Sequence, residues 1–313
     1  MTAGAVAFAL EEGPVRRSLR MWDGDVSVLT WDVAGPKASS IHFAHANGFN
    51  ALTYRTLIDE LSLDMRVYAS DLRGHGHSTL AANPKGMHSW QIYSDDILRT
   101  IQELDGRPKI LAGHSMGATA SLMAAIAKPN WVTGLILIEP VILPPPHLRL
   151  MGLLRRLRLL DHIFPVAVRA KNRRGVWPTR GSMFEAYRGR GAFRTWPEEV
   201  VQDYVTGGSL DYIDYQQVRL ACTPGWEAAN YRAGPPNLWK KMRELKIPVT
   251  LIVGQKRSTC PESVIEQMLV QLPSMRVVRV AEASHFLPME QPDIVRQEIR
   301  GMAQLLDRNI GHD

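Results

Sequence analysis

The sequence predicts an α/β protein with a mostly parallel central sheet and flanking helices. Before residue 142, short apolar runs alternate with segments whose apolar residues recur at the helical period, and the alternation resumes after Ile247. This order is typical of βαβ units, because parallel strands need a crossover connection between them. The 313 residues are enough for one large α/β domain that carries an insertion.

Seven short apolar runs bounded by turn residues predict strands. The predicted strands are Val26–Val33, Ile41–Ala44, Arg66–Ala69, Lys109–Ala112, Gly134–Ile138, Val249–Val253 and Arg276–Val280. Apolar residues three and four positions apart predict the helices. The predicted helices are Leu52–Leu63, Trp90–Leu104, Met116–Ala127, Pro261 to about Leu272, and Asp293–Leu306. The elements before residue 142 and those after Ile247 are separated by one interruption of the pattern.

The interruption begins with three prolines at 144–146 and ends before Pro248, and proline disfavours both helix interiors and central strands. Its pattern is helical, and it contains Trp177, Trp196, Trp226 and Trp239. Ligands of open α/β sheets bind beyond the carboxyl ends of the strands, so we expect a helical cap over that end. The predicted organisation is a first part of the core at 1–141, a cap or lid at 142–246, and a second part of the core at 247–313.

The formal charge of +6 comes largely from the segment between Arg149 and Arg194. We interpret these residues as a solvated face of the cap, and we expect no nucleic-acid partner. The run Leu148–Leu160 is both basic and amphipathic. This pattern fits either a helix on a membrane surface or, as the favoured interpretation, a cap helix with its apolar face turned to the active site.

The sequence favours a cytoplasmic protein without a metal or a cofactor. The apolar opening Ala3–Leu10 lacks a basic flank and is a poor secretory signal, and no stretch is long enough to span a membrane. Cys222 and Cys260 are too few and too far apart for a disulfide framework. The histidines lack metal-ligand spacing, so we expect structural hydrogen bonds from His42, His45, His75, His77 and His114. A homodimer is left open.

Gly113-His114-Ser115-Met116-Gly117 follows a predicted strand and begins a predicted helix, which is the context of a nucleophile elbow. Side chains at the two glycine positions would collide with neighbouring backbone in such a sharp turn. Ser115 is therefore the predicted nucleophile. A serine hydroxyl needs a general base, and His285, on the loop after the last predicted strand, is the candidate. The alternative interpretation of His285 is an ordinary surface histidine.

With these motifs the chain resembles the α/β-hydrolase family, and the resemblance covers nearly all of it outside the cap. Asp71–Ser78 looks like the family's loop after the fourth strand, and His45–Asn50 looks like its oxyanion loop. The resemblance implies the α/β-hydrolase fold and an oxyanion hole formed by the backbone N–H groups of Phe49 and Met116. The family's usual His-Gly pair is replaced here by Asn47-Gly48.

The orienting acid departs from the common family pattern. Many relatives carry G-x-x-D after the strand that corresponds to Val249–Val253, but this chain has Arg257 at the aspartate position. A minority, including haloalkane dehalogenases and some lactone-cleaving enzymes, takes the acid from the end of the strand after the nucleophile helix. That resemblance points to Glu139. The alternative interpretation is a strand-end carboxylate that bridges to the cap or to Arg257.

These residues together predict a serine hydrolase that cleaves an ester-type bond of a fairly apolar small substrate through an acyl-enzyme, like a carboxylesterase or lipase. Ser115 excludes the alkyl-ester intermediate of epoxide hydrolases and haloalkane dehalogenases, which needs an aspartate nucleophile. Lactone, thioester and carbon–carbon bond hydrolysis by the same residues stay open. An alternative from another class is a non-catalytic ligand-binding homologue, which the missing aspartate after Gly254 would favour.

Overall fold

The computed structural model describes residues 13–35, 38–157 and 159–310. The opening Ala3–Leu10 and Arg158 of the basic run lie outside the described residues. The strands are β1 (Val15–Met21), β2 (Gly24–Trp31), β3 (Ser40–Ala44), β4 (Arg66–Asp71), β5 (Ile110–His114), β6 (Gly134–Ile138), β7 (Val176–Trp177), β8 (Ser209–Tyr212), β9 (Gln217–Leu220), β10 (Val249–Gly254) and β11 (Arg276–Val280).

The helices surround these strands in sequence order. They are α1 (Arg55–Leu61), α2 (Gln91–Glu103), α3 (Met116–Ala127), α4 (Pro145–Arg156), α5 (Leu160–Ile163), α6 (Pro165–Lys171), α7 (Arg180–Tyr187), α8 (Glu198–Gly208), α9 (Pro224–Ala233), α10 (Trp239–Met242), α11 (Glu262–Gln271), α12 (Leu287–Glu290) and α13 (Pro292–Ile310). Short 3₁₀ helices occupy Ala51–Tyr54, Pro84–Gly86, Pro129–Trp131, Gly191–Thr195 and Ile213–Tyr215. None of the described helices is long and apolar enough to cross a bilayer.

The main sheet has eight strands in the order β1-β2-β4-β3-β5-β6-β10-β11. The β1–β2 and β2–β4 pairs are antiparallel, and all other pairs are parallel. The predicted mostly parallel α/β architecture is therefore confirmed. Because β3, β5, β6 and β10 run parallel side by side, the loops after their carboxyl ends meet at one edge of the sheet.

Side chains of the central strands alternate between two apolar layers. Leu111, Leu135 and Leu251 pack on one face with α2, α3 and α11. Their neighbours in sequence face the other side and pack with α1 and α13, as Ile110 and Ile136 do. Both faces of the sheet are covered, which explains why these strands are uninterrupted apolar runs in the sequence.

The intervening segment, residues 139–248 between β6 and β10, holds α4–α10 and a small antiparallel sheet in the order β7-β9-β8. The sequence pattern predicted its helices but not these strands, which have only two to four residues each. A period of two has little room to appear in so short a strand.

Helix α4 corrects the favoured interpretation of the basic amphipathic run. None of its residues is buried, and Leu150 and Leu153 are more than half exposed. The side of α4 that contacts the protein carries Arg155, whose guanidinium donates to the carbonyl of Arg232 at 2.9 Å. The leucine face of the helix is therefore turned to solvent and not to the predicted active site.

Arg73 joins three parts of the fold that are distant in sequence. Its side chain is 1% exposed, and its guanidinium binds Asp96 of α2 through two hydrogen bonds of 2.8 Å. The same group also binds Asp23 in the turn between β1 and β2, and the carbonyl of Ala81 at 2.9 Å. Arg73 thereby fastens the antiparallel edge of the sheet to the helical layer.

We expect Arg73→Met to lower the free energy of unfolding by about 3–5 kcal/mol, because it leaves the buried carboxylate of Asp96 without its partner. Urea unfolding followed by tryptophan fluorescence measures the change. The matched control is Arg17→Met, which removes an exposed ion pair with Asp105 and should cost less than about 1 kcal/mol. Equal losses in the two variants would contradict the structural role given to Arg73.

Candidate active site

The turn between β5 and α3 places Ser115 in a strained backbone conformation, with φ of 55° and ψ of −117°. Residues with a Cβ atom rarely adopt this conformation. Its N–H donates to the carbonyl of Ile138 at 2.9 Å, which ties the turn to the end of β6. A Cβ atom on Gly117 would lie 2.2 Å from the carbonyl oxygen of Ala44, so the glycine permits the close approach of α3 to β3. Ser115 itself is 9% exposed.

The structure brings Ser115, His285 and Glu139 together at the carboxyl edge of the sheet. Ser115 follows β5, Glu139 follows β6, and His285 lies in the loop after β11. The Ser115 Oγ atom lies 3.1 Å from His285 Nε2. On the other side of the ring, His285 Nδ1 lies 3.2 Å from Glu139 Oε2. Both distances are within hydrogen-bond reach, which a nucleophile, its base and the acid that orients the base require.

Glu139 is fully buried, and its carboxylate is surrounded by donors. It accepts hydrogen bonds from the N–H of Gly254 at 2.7 Å, the Oγ of Ser258 at 2.9 Å and the N–H of Thr259 at 2.9 Å. Burial alone would raise the pKa of Glu139, but the hydrogen bonds from His285 and from these backbone groups outweigh burial and lower the pKa. The carboxylate is therefore held in its charged form.

Ser258 and Thr259 also belong to the candidate site, although the sequence did not predict them. The hydroxyl of Thr259 lies 3.1 Å from His285 Nδ1 and shares that atom with the carboxylate. Both residues follow Arg257, which is exposed, and Glu139 binds their hydroxyl and backbone groups. Arg257 occupies the position where many relatives have the aspartate. The two consecutive hydroxyl residues just after it are the sequence feature that could have identified Ser258 and Thr259.

The two predicted oxyanion donors differ in availability. Met116 is the first residue of α3, so its N–H has no acceptor within the helix. The N–H of Phe49 donates to the carbonyl of Ala46 at 3.1 Å. An oxyanion would share or replace that bond. The ring of Phe49 packs edge-on against Trp196 of the intervening segment, with ring centroids 5.2 Å apart.

The loop with Asn47 and Gly48 is held by contacts from both sides. The Asn47 side chain donates to the carbonyl of Glu227 at 3.1 Å. The N–H of Gly48 donates to His75 Nε2 at 3.0 Å, and its carbonyl accepts from the hydroxyl of Tyr204 at 3.2 Å. Two of these three hydrogen bonds involve residues of the intervening segment, which therefore helps to hold the loop in place.

Arg173 strengthens the connection between the Asn47-Gly48 loop and the intervening segment. Its guanidinium lies 3.0 Å from Glu227 Oε2 and also binds the hydroxyl of Tyr204, so one partly buried cation holds two residues that contact the loop. Burial alone would lower the pKa of Arg173, but the surrounding tyrosines and Glu227 raise it well above its ordinary value. The pKa of Glu227 is raised by burial, and the cation is the charge that opposes this shift.

The buried histidines form structural hydrogen bonds. Burial lowers the pKa of His42 and of His45 to about 4, and that of His75 to about 3, so their rings are neutral. His45 Nε2 accepts from the N–H of Leu72 at 2.8 Å. His114 Nε2 donates to the carbonyl of His285 at 2.7 Å. Within the part of the chain that the structure describes, no group of three His, Cys, Asp or Glu residues is placed to hold a metal ion.

A cleft of about 380 Å³ lies beside His285, and Arg194, Arg257 and Phe286 contribute to its walls. A larger cavity of about 640 Å³ begins at Pro248 and Arg276, near the amino ends of β10 and β11, and none of the predicted site residues line it. The smaller cleft lies at the carboxyl edge, where ligands of parallel sheets bind, but its lining includes His285 and not Ser115, so it borders the candidate site without containing the nucleophile candidate.

Comparison with known proteins identifies similar sequences and folds. The model of a family described as alpha/beta hydrolase matches residues 43–298. Monoglyceride lipase of Rattus norvegicus is 31% identical over 140 residues, which cover 43% of this chain and 46% of that protein. The chain thus matches less than half the length of this lipase.

Solved structures show the same fold at low sequence identity. E-2-(acetamidomethylene)succinate hydrolase superposes with a TM-score of 0.74 at 21% identity and covers 93% of this chain and 99% of its own. The thioesterase domain from the curacin biosynthetic pathway gives a TM-score of 0.76 at 19% identity, over 92% of this chain and 99% of its own.

We expect Gly117→Ala to lower the free energy of unfolding by about 3 kcal/mol or more, because the added methyl group would overlap backbone atoms that cannot move independently. Urea unfolding measures the effect. The matched control is Gly152→Ala in α4, where nothing lies within 4 Å of the added atom. This control should raise the stability by about 0.5–1 kcal/mol. A neutral Gly117→Ala would contradict the close packing of α3 on β3.

We expect Glu139→Gln to destabilise the fold by about 1–3 kcal/mol at neutral pH, because the amide presents a donor to groups that themselves donate. A carboxylate whose pKa is lowered in the folded protein stabilises the native state at pH values above its ordinary pKa of 4.5. This contribution is lost as the pH falls through the lowered folded-state pKa. The stability difference between the wild type and the variant should therefore shrink in acid. Urea titrations at several pH values measure it.

The control for this pH dependence is Glu103→Gln, at an exposed position at the end of α2. It should change the stability by less than about 0.5 kcal/mol at each pH. If the Glu139→Gln difference stayed constant from neutral pH into acid, the charged carboxylate would not be the stabilising species.

Proposed function

Because the chain belongs to the alpha/beta hydrolase family, we propose that it cleaves ester-type bonds through a serine nucleophile. The observation that carries the proposal is the continuous series of contacts from Ser115 through His285 to Glu139, at 3.1 and 3.2 Å. The three residues come from three loops at one edge of the sheet, so the contact between them depends on the whole fold.

In the proposed mechanism Ser115 attacks the carbonyl carbon of the substrate while His285 Nε2 accepts the hydroxyl proton. His285 then passes this proton to the leaving alcohol, and an acyl-enzyme remains. Glu139 holds Nδ1–H of the ring and stabilises the imidazolium that forms. A water molecule attacks the acyl-enzyme by the same route, which releases the acid and restores the hydroxyl of Ser115.

The N–H of Met116 is the first donor that we assign to the developing oxyanion, and the N–H of Phe49 is the second. Phe49 would have to release or share its bond to Ala46 when the tetrahedral intermediate forms. No cofactor takes part in this scheme.

We propose that residues 142–246 act as a cap that shapes an apolar acyl site. Trp196 of this segment packs against Phe49 and against Phe286, with centroid separations of 5.2 and 5.6 Å. The ring of Phe286 in turn lies beside His285, with centroids 5.7 Å apart. This aromatic cluster next to His285 favours a small apolar substrate. Since the similar mammalian proteins are named monoglyceride lipases, glycerol esters with a single acyl chain are the first natural class to test.

Lactones, thioesters and activated carbon–carbon bonds stay alternative substrates for the same residues. The non-catalytic alternative rested on the absence of an aspartate after Gly254. The position of Glu139 beside His285 supports the catalytic proposal instead. A cytoplasmic location and the absence of a nucleic-acid partner also stay predictions.

We expect the purified protein to hydrolyse p-nitrophenyl esters, and Ser115→Ala to abolish the activity above the buffer rate. A series from acetate to palmitate gives the preferred acyl length and therefore the depth of the site under the cap. Glu139→Gln should lower kcat by about 10³- to 10⁴-fold, because the amide cannot stabilise the imidazolium and favours the wrong ring tautomer.

Labelling by a fluorophosphonate probe separates the remaining outcomes, because only an activated serine reacts rapidly. Probe labelling without ester turnover would support the serine mechanism and would indicate a substrate of another acyl class. Absence of both would overturn the proposed function. Full activity in Glu139→Gln, with loss only in Ser115→Ala, would overturn the role of Glu139.

A further inference from the structure

Helix α4 and the residues after it expose a continuous apolar stripe. Leu150, Leu153 and Leu157 are 52%, 54% and 56% exposed. They are spaced by three and four residues, so they lie on one face of the helix. Leu159 and Ile163 continue the exposed apolar surface beyond the end of α4, at 41% and 54% exposure.

The stripe lies opposite the face by which α4 is attached to the rest of the protein. Leu148, Met151 and Arg155 face a small cavity of about 200 Å³ whose other wall includes Ala233 and Pro235. Arg155 donates hydrogen bonds to the carbonyls at the end of α9. The helix is therefore held in place by one side, and its leucine stripe is unpartnered on the other.

The segment that contains the stripe is strongly basic, and two of its arginines border the stripe. Between Val141 and Val176 the sequence holds eight basic residues and a single acidic residue, Asp161. Arg149 and Arg156 are exposed and lie on α4 next to the stripe. Neither has a carboxylate partner within the described part of the chain. An apolar stripe bordered by cations is the arrangement of helices that lie in the interface of an anionic bilayer.

We propose that α4 docks the protein onto anionic lipid bilayers, with Leu150, Leu153 and Leu157 inserted below the headgroups and Arg149 and Arg156 on the lipid phosphates. Apolar residues alone would also suit a protein partner. The bordering arginines favour lipid, because a bilayer supplies both an apolar layer and a plane of phosphates along the whole length of the helix. No part of this proposal depends on the chemistry at Ser115.

Docking would also orient the candidate site. The chain reaches α4 only a few residues after Glu139, so the helix begins at the carboxyl edge of the sheet. The amino end of α4, the helix that carries the stripe, and the loops that carry Ser115 and His285 thus lie at the same edge of the sheet. A bilayer bound at α4 would lie near the edge from which we expect a substrate to approach.

Vesicle flotation of the full chain tests the proposal. We expect the protein to float with phosphatidylcholine vesicles that contain phosphatidylglycerol, and to float much less with phosphatidylcholine alone. Binding should weaken when NaCl is raised from about 0.05 to about 0.5 M, because salt screens the arginine–phosphate attraction. The triple variant Leu150→Gln, Leu153→Gln and Leu157→Gln should lower the partition coefficient roughly tenfold or more, while Arg149→Gln with Arg156→Gln should reduce binding to the anionic vesicles selectively.

The matched control is Leu63→Gln with Val270→Gln, which replaces two aliphatic side chains that are 64% and 75% exposed elsewhere on the surface. This control should bind vesicles as the wild type does. Glutamine retains high helix propensity, and circular dichroism checks that α4 is still folded in the triple variant. Hydrolysis of a water-soluble ester should be unchanged in it, so failure of docking and failure of the proposed function are distinguishable.

Two results would overturn the proposal. The first is a wild-type protein that stays at the bottom of the gradient with anionic vesicles. The second is a triple variant that binds as the wild type does. If analytical ultracentrifugation showed a dimer that the triple variant loses, and vesicles bound neither protein, the stripe would be an interface between two copies of this chain.

Discussion

The close contact between Gly117 and the end of β3 is the constraint on which the site depends. Because no side chain stands between them, α3 approaches the backbone of Ala44 and His45 directly. This approach sets the sharp turn at Ser115, and it leaves the N–H of Met116 at the start of a helix without an intrahelical acceptor. The loop with Asn47 and Gly48 begins at the same point. The proposed nucleophile and both proposed oxyanion donors therefore lie next to this one packing contact.

Neutral histidines connect the loops around that contact. His45 binds the loop after β4, His75 binds the N–H of Gly48, and His114 binds the carbonyl of His285. Burial lowers the pKa of each ring, so each keeps one donor and one acceptor nitrogen at neutral pH. Protonation of a ring would convert its acceptor nitrogen into a donor facing another donor. These three histidines hold the loops in position, while His285 lies against Ser115.

The parallel core was predictable from the sequence because its strands are buried on both faces and its helices have strong periods. The bounds of β6, β11 and α3 match the prediction, whereas β1 was missed because arginines interrupt its apolar residues on an exposed edge. Each candidate residue was also predictable from a short motif whose members are neighbours in the sequence. The hydrogen bond from Asn47 to Glu227 joins residues 180 positions apart, and no local pattern reports such a contact.

The chain order of the candidate residues has a consequence for synthesis. Ser115 and Glu139 belong to neighbouring strands and are made early, but His285 follows Glu139 by 146 residues. His285 reaches its position only after β11 has paired with β10, the last addition to the sheet. A chain that emerges from the ribosome amino end first thus builds the elbow and the buried carboxylate without the base. Under the proposed mechanism, a chain made only as far as β10 would carry a serine hydroxyl without its base, and the Ser115–His285 contact would form only once β11 is in place.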